Sequence, residues 1–261
     1  MNWYEPNRHL MPGRDDLAWL VSRSDEVSFT GCDASGWEDG TWVLHAFYEL
    51  PFNAALPTHD ELRKARVASR EEEQLIIGGV NLDDLTTSTG GGLGYQRRPA
   101  AEWQRRTWSE MMARFPQDWP AGGPAPCFRW FPVRDVPANI GLPTEGSMAE
   151  EDFGELIKVL CRHVPTPACS LYFADVFSFA DPREAPVYEV DLGDLASLLR
   201  GLSEDKQVFT PANIWPADRS WLVYTDYDLW ATKVSGSSKL INELRAHPLL
   251  ETLDWAPSEA P

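Results

Sequence analysis

The chain lacks both a long apolar run and a set of cysteines that could form a scaffold. Nowhere in its 261 residues does an uninterrupted apolar stretch reach the ~18 residues that a membrane-spanning helix needs. The N-terminal sequence MNWYEPNRHLMPGRDD has no apolar core of the kind found in signal peptides. Cys32, Cys127, Cys161 and Cys169 are too few and too scattered for a disulfide framework, so reduced, buried thiols are expected. These absences predict a cytoplasmic protein that does not associate with membranes.

Recognisable catalytic and cofactor motifs are also missing. The sequence has no Gly-x-Ser-x-Gly nucleophile elbow. Its glycine-rich segment STGGGLGYQRR, residues 88–98, has neither the Lys-Ser/Thr ending of a Walker A loop nor the spacing of a dinucleotide fingerprint. Cys161, His163 and Cys169 are irregularly spaced and lack a nearby fourth ligand, so a zinc site is not expected. His45 stands among apolar strand residues and is interpreted as a core residue. We therefore predict no cofactor and no metal.

The sequence has a large excess of negative charge. It contains 40 Asp and Glu against 23 Lys and Arg, which gives a net charge of -17. Such a field repels nucleic-acid phosphates and anionic membranes and favours basic proteins or cations, although acidity also keeps a protein soluble without any partner. Arginines and tryptophans interleave over residues 97–134, a pattern typical of single-stranded nucleic-acid binding. In so acidic a chain we expect these arginines to pair internally, and we predict a basic protein partner and no nucleic acid.

The hydrophobic pattern predicts an α+β protein with antiparallel or mixed sheets and helices packed on them. Alternating branched and aromatic residues in TWVLHAFYEL and WLVYTDYDL indicate strands, whereas the apolar spacing around Phe153 and Leu160 indicates a helix. Ser147 with Glu150 has the form of a capping box, as does Thr58 with Glu61. Seven prolines between residues 116 and 147 disfavour regular structure. A boundary near residue 146 would give units 1–146 and 147–261, and the alternative is one compact domain.

Two distant segments of the chain share a pattern. GWEDGTWVLHAFYEL, residues 36–50, aligns with IWPADRSWLVYTDYDL, residues 214–229, after one gap. In each segment a Trp, an acidic turn, a hydroxyl residue and a second Trp precede a strand that ends in a carboxylate. Trp42 aligns with Trp221 in this comparison. Two related sheet units packed side by side would explain the match, and so would chance in a Trp-rich chain.

The second of these segments contains the main candidate for chemistry. On a strand, Asp226 and Asp228 would project from one face about 6.5 Å apart. At an effective dielectric constant near 20 they would repel by roughly 2.5 kcal/mol, so an enclosed pair needs a cation or a raised pKa. An apolar run followed by Asp-x-Asp is similar to the nucleophile motif of haloacid-dehalogenase-type phosphatases and to the metal-binding motif of nucleotide-sugar glycosyltransferases. The phosphatase pattern has Thr two residues after the second Asp, where this chain has Trp230.

The C-terminal run WPADRSWLVYTDYDLWATKVSGSSKLINELRAHPLLETLDW resembles a family of uncharacterised proteins from GC-rich bacteria. The likeness is strong over this run and loose over the N-terminal segments MNWYEPNRHLMP and DLAWLV. It implies a compact cytoplasmic domain and no defined activity. The acidic, Trp-rich α+β character also looks like that of immunity proteins, which neutralise toxins.

The sequence thus predicts a noncatalytic acidic protein-binding module of the immunity type that neutralises a basic partner. The predicted contact residues are Trp215, Tyr224, Asp226, Asp228 and Trp230, with exposed tryptophans anchoring the contact. The alternative hypothesis is a metal-dependent enzyme that acts on a phosphate or nucleotide-sugar substrate through Asp226 and Asp228. A closed pocket around the two aspartates would favour the enzyme, whereas a convex acidic surface would favour the binding module.

Overall fold

The computed structural model describes residues 11–12, 17–28, 31–51, 56–68, 76–77, 80–81, 101–116, 123–173, 186–203 and 209–255. The glycine-rich segment at residues 88–98 lies outside these residues. Within the described part, strands and helices mix along the chain, and every paired strand is antiparallel to its neighbour. The predicted α+β class with antiparallel sheets is confirmed.

An eight-stranded sheet is the centre of the fold, in the spatial order β1-β11-β10-β12-β13-β14-β4-β15. Its strands are β1 (Met11–Pro12), β4 (Asp39–Leu44), β10 (Ala168–Tyr172), β11 (Val187–Asp191), β12 (Asn213–Pro216), β13 (Leu222–Thr225), β14 (Ala231–Gly236) and β15 (Thr252–Leu253). The sheet therefore takes strands from both sides of residue 146. Strand β4 from the N-terminal part pairs along its whole length with β14, from Asp39↔Gly236 to Leu44↔Ala231.

Smaller sheets and six described α-helices complete the architecture. Strands β2 (Ser24–Ser28) and β3 (Gly31–Ala34) form one hairpin, β6 (Ile76–Ile77) and β7 (Val80–Asn81) form another, and β8 (Gln104–Arg106), β5 (Phe47–Glu49) and β9 (Ile140–Gly141) form a three-stranded sheet. The helices are α1 (Ala18–Val21), α2 (His59–Ala68), α3 (Trp108–Arg114), α4 (Glu150–Cys161), α5 (Leu195–Ser203) and α6 (Ser238–Arg245).

The two faces of the large sheet bury different layers, because successive strand residues point to opposite sides. Val43 and Val223 face a core formed with the apolar sides of α4, α5 and α6. Trp42 and Leu44 face the opposite way, onto Phe47 and α3. Leu222 also lies on that second side, in a cluster with α1 and β3. The sheet is consequently covered by helices on one side, and on the other side by β3, the three-stranded sheet, α1 and α3.

The two similar segments, residues 36–50 and 214–229, do not form two separate sheet units. Strands β4 and β13 belong to the same sheet, where both pair with β14. The aligned tryptophans point in opposite directions, since Trp42 packs with Phe47 while Trp221 packs with Val223 and the helical layer. Their matching sequence positions therefore occupy different environments.

The N-termini of the helices can be compared with the capping residues predicted from the sequence. Thr58 and Glu61 form the predicted capping box, in which each side chain accepts the other's backbone N–H. Ser237 caps α6 by accepting the Leu240 N–H at 3.3 Å. The capping box predicted for Ser147 and Glu150 is wrong, because α4 begins at Glu150 after Ala149 without a side-chain cap. The Ser147 hydroxyl instead accepts the backbone N–H of Thr210 at 2.8 Å, a contact between distant segments.

Candidate functional site

Asp226 and Asp228 lie in the tight turn between β13 and β14, and not on a strand face as predicted. Strand β13 ends at Thr225 because the Asp226 carboxylate forms hydrogen bonds that stabilise a turn. Its Oδ1 accepts the Asp228 N–H at 2.8 Å, and its Oδ2 accepts the Tyr224 hydroxyl at 2.8 Å. This is the turn-forming preference of aspartate, whose short carboxylate bonds the backbone two residues ahead. We call residues 226–230 the acidic turn.

The acidic turn is held between two other chain segments. The Trp230 N–H donates to Pro126 O at 2.9 Å, and the Gly146 N–H donates to Leu229 O at 2.9 Å. Gly146 has φ +65°, and a Cβ at this position would lie 2.8 Å from the Cα of Tyr227. Only glycine accommodates both the left-handed backbone and this close approach. The turn is therefore locked to the rest of the molecule by backbone contacts.

The electrostatics of the turn are those of crowded carboxylates. Asp228 is exposed, yet partial desolvation and the neighbouring Asp226 raise the pKa of its carboxyl, while Arg129 opposes that rise. Burial raises the pKa of the Tyr227 hydroxyl, and the nearby Asp228 and Glu145 add to the rise. A cation from outside the chain would reduce the repulsion between the Asp226 and Asp228 carboxylates. The acidic turn thus presents the exposed carboxylate of Asp228 next to the half-buried carboxylate of Asp226.

Three of the predicted contact residues are not on the surface. Trp215 and Trp230 are fully buried, and Tyr224 is 8% exposed. Trp230 packs against Phe47 with ring centroids 5.8 Å apart, and Trp215 packs against Trp19 at 5.8 Å. The expectation that exposed tryptophans at these positions anchor a partner is therefore corrected. Their indoles lie in the layers on the second side of the sheet, where the burial of a large aromatic ring stabilises the folded protein.

A buried polar chain lies directly under the acidic turn and was not predicted as a unit. The Nδ1 of His45 is 3.1 Å from Thr144 O, its Nε2 is 3.0 Å from Thr232 Oγ1, and Thr232 Oγ1 is 2.9 Å from Thr225 Oγ1. Burial lowers the pKa of His45 from 6.5 to about 4. The interpretation of His45 as a hydrogen-bonded core residue is confirmed. The partners of His45, Thr144 and Thr232, show no sequence signal, since they lie 99 and 187 positions away in the chain.

The described residues contain no group of three or more His, Cys, Asp or Glu side chains that could hold a metal ion. The Nε2 of His163 is 2.6 Å from a carboxylate oxygen of Glu243. Of the cysteines beside it, Cys169 is buried, whereas Cys161 is exposed, contrary to the expectation of buried thiols. The imidazole of His163 therefore has a carboxylate partner at the end of α4.

Several arginines of the basic-aromatic region pair with acidic residues, as predicted. Arg105 forms a bidentate ion pair with the buried Asp152, with Nε–Oδ1 and Nη2–Oδ2 distances of 3.0 and 3.1 Å. Arg106 and Arg114 both contact Glu49, at 2.7 and 2.9 Å. Because these guanidinium groups already have carboxylate partners, they are not available to phosphates without losing an ion pair.

A surface groove of about 780 Å³ runs between α4 and α5. Its lining includes Gly154 and Ala196 and the ion pairs of Glu150 with Arg200 and of Lys158 with Glu155. Neither Asp226 nor Asp228 lines this groove. The candidate aspartates therefore do not belong to this groove.

None of the helices in the described ranges is both long and apolar enough to cross a membrane. Comparison of the chain with known protein families, with curated protein sequences and with solved structures gave no match.

Proposed function

We propose that this protein is a noncatalytic module that binds a basic protein partner through the acidic turn, in the manner of an immunity protein that neutralises its target. The observation that carries the proposal is the exposed Asp228, placed beside Asp226 on a turn fixed by backbone hydrogen bonds, in a chain of net charge -17. A rigid contact residue loses little conformational entropy on binding. Membership of the uncharacterised family that the C-terminal run resembles, and a place in the cytoplasm, are part of the same proposal.

Charge supports both the choice of partner and the speed of its association. Repulsion from Asp226 contributes to the raised pKa of Asp228. A lysine or arginine of the partner would relieve this repulsion, which stabilises the complex more than the same contact with an isolated carboxylate. The negative field of the whole chain would in addition steer a basic protein toward the surface.

The enzyme hypothesis has less support. Both carboxylate oxygens of Asp226 accept hydrogen bonds from the protein, from Asp228 N–H and from the Tyr224 hydroxyl. Asp228 is exposed to solvent, and neither aspartate lines the groove between α4 and α5. No observation among the described residues favours a phosphate or nucleotide-sugar substrate at Asp226 and Asp228, so that reaction stays an untested prediction.

A single matched pair of variants tests the proposal. Asp228→Asn removes the exposed charge of the turn, while Asp135→Asn removes an exposed carboxylate elsewhere on the surface. The full chain is immobilised and exposed to extract of its native host at about 50 mM and about 500 mM salt, conditions that respectively preserve and screen charge contacts. We expect basic proteins to be retained at low salt and released at high salt.

Retention by Asp228→Asn should fall about tenfold, as for loss of one close charge contact in an interface, while Asp135→Asn should retain as the wild type does. Equal retention by the two variants would remove the acidic turn from the interface. Retained proteins that are acidic would contradict the proposed partner class.

A further inference from the structure

An exposed arginine lies beside the acidic turn. The Trp230 N–H donates to Pro126 O at 2.9 Å, which brings the 3-10 helix that follows, Phe128–Trp130, next to the turn. Arg129 is the exposed residue of that helix. Its guanidinium lies over the ring of Phe128, with Cζ 5.7 Å from the ring centroid. This cation–π contact favours one position of the charge while leaving the N–H groups of the guanidinium accessible to other groups.

The charge of Arg129 acts on the acidic turn without forming an ion pair there. Desolvation and the charge of Asp226 raise the pKa of the Asp228 carboxyl, and the Arg129 guanidinium lowers it. Among the described residues no carboxylate lies within ion-pair distance of Arg129 or of Arg134, which is also exposed. Only Arg129 of these two arginines acts on Asp228. The feature that distinguishes Arg129 is therefore its place beside the acidic turn.

This position of Arg129 has opposite consequences for two kinds of basic surface. A lysine or arginine that approaches Asp228 also approaches the Arg129 guanidinium, and like charges that meet in an interface repel each other. A surface with positive charges alone would in addition cover the guanidinium without offering it an acceptor, which is costly for a charged group. A surface that has a carboxylate next to its cation can engage Asp228 and Arg129 together, because a guanidinium edge binds a carboxylate through two hydrogen bonds.

We propose, on the premise that the acidic turn binds a basic protein as described above, that Arg129 is the specificity-determining residue of that site. It selects a partner surface in which a lysine or arginine is adjacent to a carboxylate, and it disfavours a surface with clustered positive charge alone. The net charge of -17 attracts every polycation. A positive charge at the point of contact supplies the discrimination among basic partners that this overall field lacks.

Fluorescence polarisation with the full chain and two labelled peptides tests this assignment. One peptide contains three Lys-Lys-Gly repeats and the other three Lys-Lys-Glu repeats, so they differ only in the glutamates. The wild type, Arg129→Gln and Arg134→Gln are each titrated with both peptides at about 50 mM salt, where charge contacts are only partly screened. The two variants lose the same charge from exposed positions, so any effect of the net charge is the same in both.

We expect Arg129→Gln to bind the glycine peptide about threefold more tightly than Arg134→Gln does, a factor that corresponds to one exposed charge contact. For the glutamate peptide this gain should disappear, because the lost repulsion of lysine is offset by the lost contact with glutamate. The preference for the glycine peptide over the glutamate peptide should thus be about threefold larger in Arg129→Gln than in Arg134→Gln.

Asp228→Asn separates the role of Arg129 from that of the turn itself. Asp228→Asn alone should weaken binding of the glycine peptide about tenfold, and adding Arg129→Gln to it should change the affinity less than about twofold. Circular dichroism melting of each variant would show that it is folded.

The possible failures can be told apart. If Asp228→Asn weakens binding but Arg129→Gln and Arg134→Gln have equal peptide preferences, the role of Arg129 is overturned and the acidic turn remains a binding site. A gain from Arg129→Gln that persists in the Asp228→Asn background would also overturn that role, because it would mean that Arg129 acts through the overall field. If Asp228→Asn binds as the wild type does, or the wild type binds neither peptide at about 1 mM, the proposed function and the role of Arg129 are both overturned.

Discussion

Buried His45 should make the stability of this protein strongly dependent on pH. Both nitrogens of the ring are used: a carbonyl oxygen can only accept, so Nδ1 donates to Thr144 O, and Nε2 accepts from the Thr232 hydroxyl. The neutral ring therefore satisfies its surroundings. A proton added at Nε2 would place a charge in a fully buried site without a carboxylate partner.

The size of the effect follows from the pKa of His45 in the two states. Burial lowers it from 6.5 to about 4 in the folded protein. Between these values the unfolded chain binds a proton that the folded chain does not, so the free energy of unfolding falls as the pH falls. One pKa unit corresponds to about 1.4 kcal/mol, which gives a loss of about 2 kcal/mol between pH 7 and pH 5 and about 3 kcal/mol by pH 4.

The measurement compares urea unfolding of the wild type and of His45→Gln at pH 7, 6 and 5. Glutamine can donate to one neighbour and accept from the other but does not titrate in this range. Carboxylates contribute to the pH dependence of both proteins alike, so they cancel in the comparison. The wild type should lose about 2 kcal/mol more than His45→Gln from pH 7 to pH 5. Parallel stability curves for the two proteins would refute the reasoning, because they would mean that His45 is protonated equally easily when folded.

Three substitutions test contacts that join distant segments of the chain. Gly146→Ala should lower the free energy of unfolding by about 2 kcal/mol or more, since it strains φ +65° and brings a methyl against the acidic turn; urea unfolding measures this. Asn213→Leu should cost about 3 kcal/mol in the same assay, because the Asn213 amide bonds both the N–H and the carbonyl of buried Cys32, each at 2.9 Å. Arg105→Met should cost about 3 kcal/mol by leaving Asp152 charged and buried, and Arg105→Met combined with Asp152→Leu should recover most of that loss. No recovery in the double variant would contradict this account of the ion pair.

Local features of the chain were predictable from sequence. The α+β class follows from the period of the apolar residues, and the start of α2 follows from Thr58 with Glu61. Each of these signals involves residues at most a few positions apart, whose interaction depends little on the rest of the chain. The buried state of His45 was also accessible, because its strand neighbours are apolar.

The candidate surfaces depended on tertiary structure. The sequence shows that aspartates and tryptophans are close together in residues 215–230, but not that Trp215 and Trp230 fill two interior layers while Asp228 remains exposed. That outcome requires α1, α3 and the three-stranded sheet to cover one side of the central sheet. The contacts that hold them there join residues far apart in the chain, such as Trp108 Nε1 with His45 O, 63 positions apart, and Trp230 with Phe47. Sequence determined the negative charge and the local elements, because both are properties of neighbouring residues. Only the packing of distant segments decided which of the charged and aromatic groups face solvent, since burial is a property of the assembled layers.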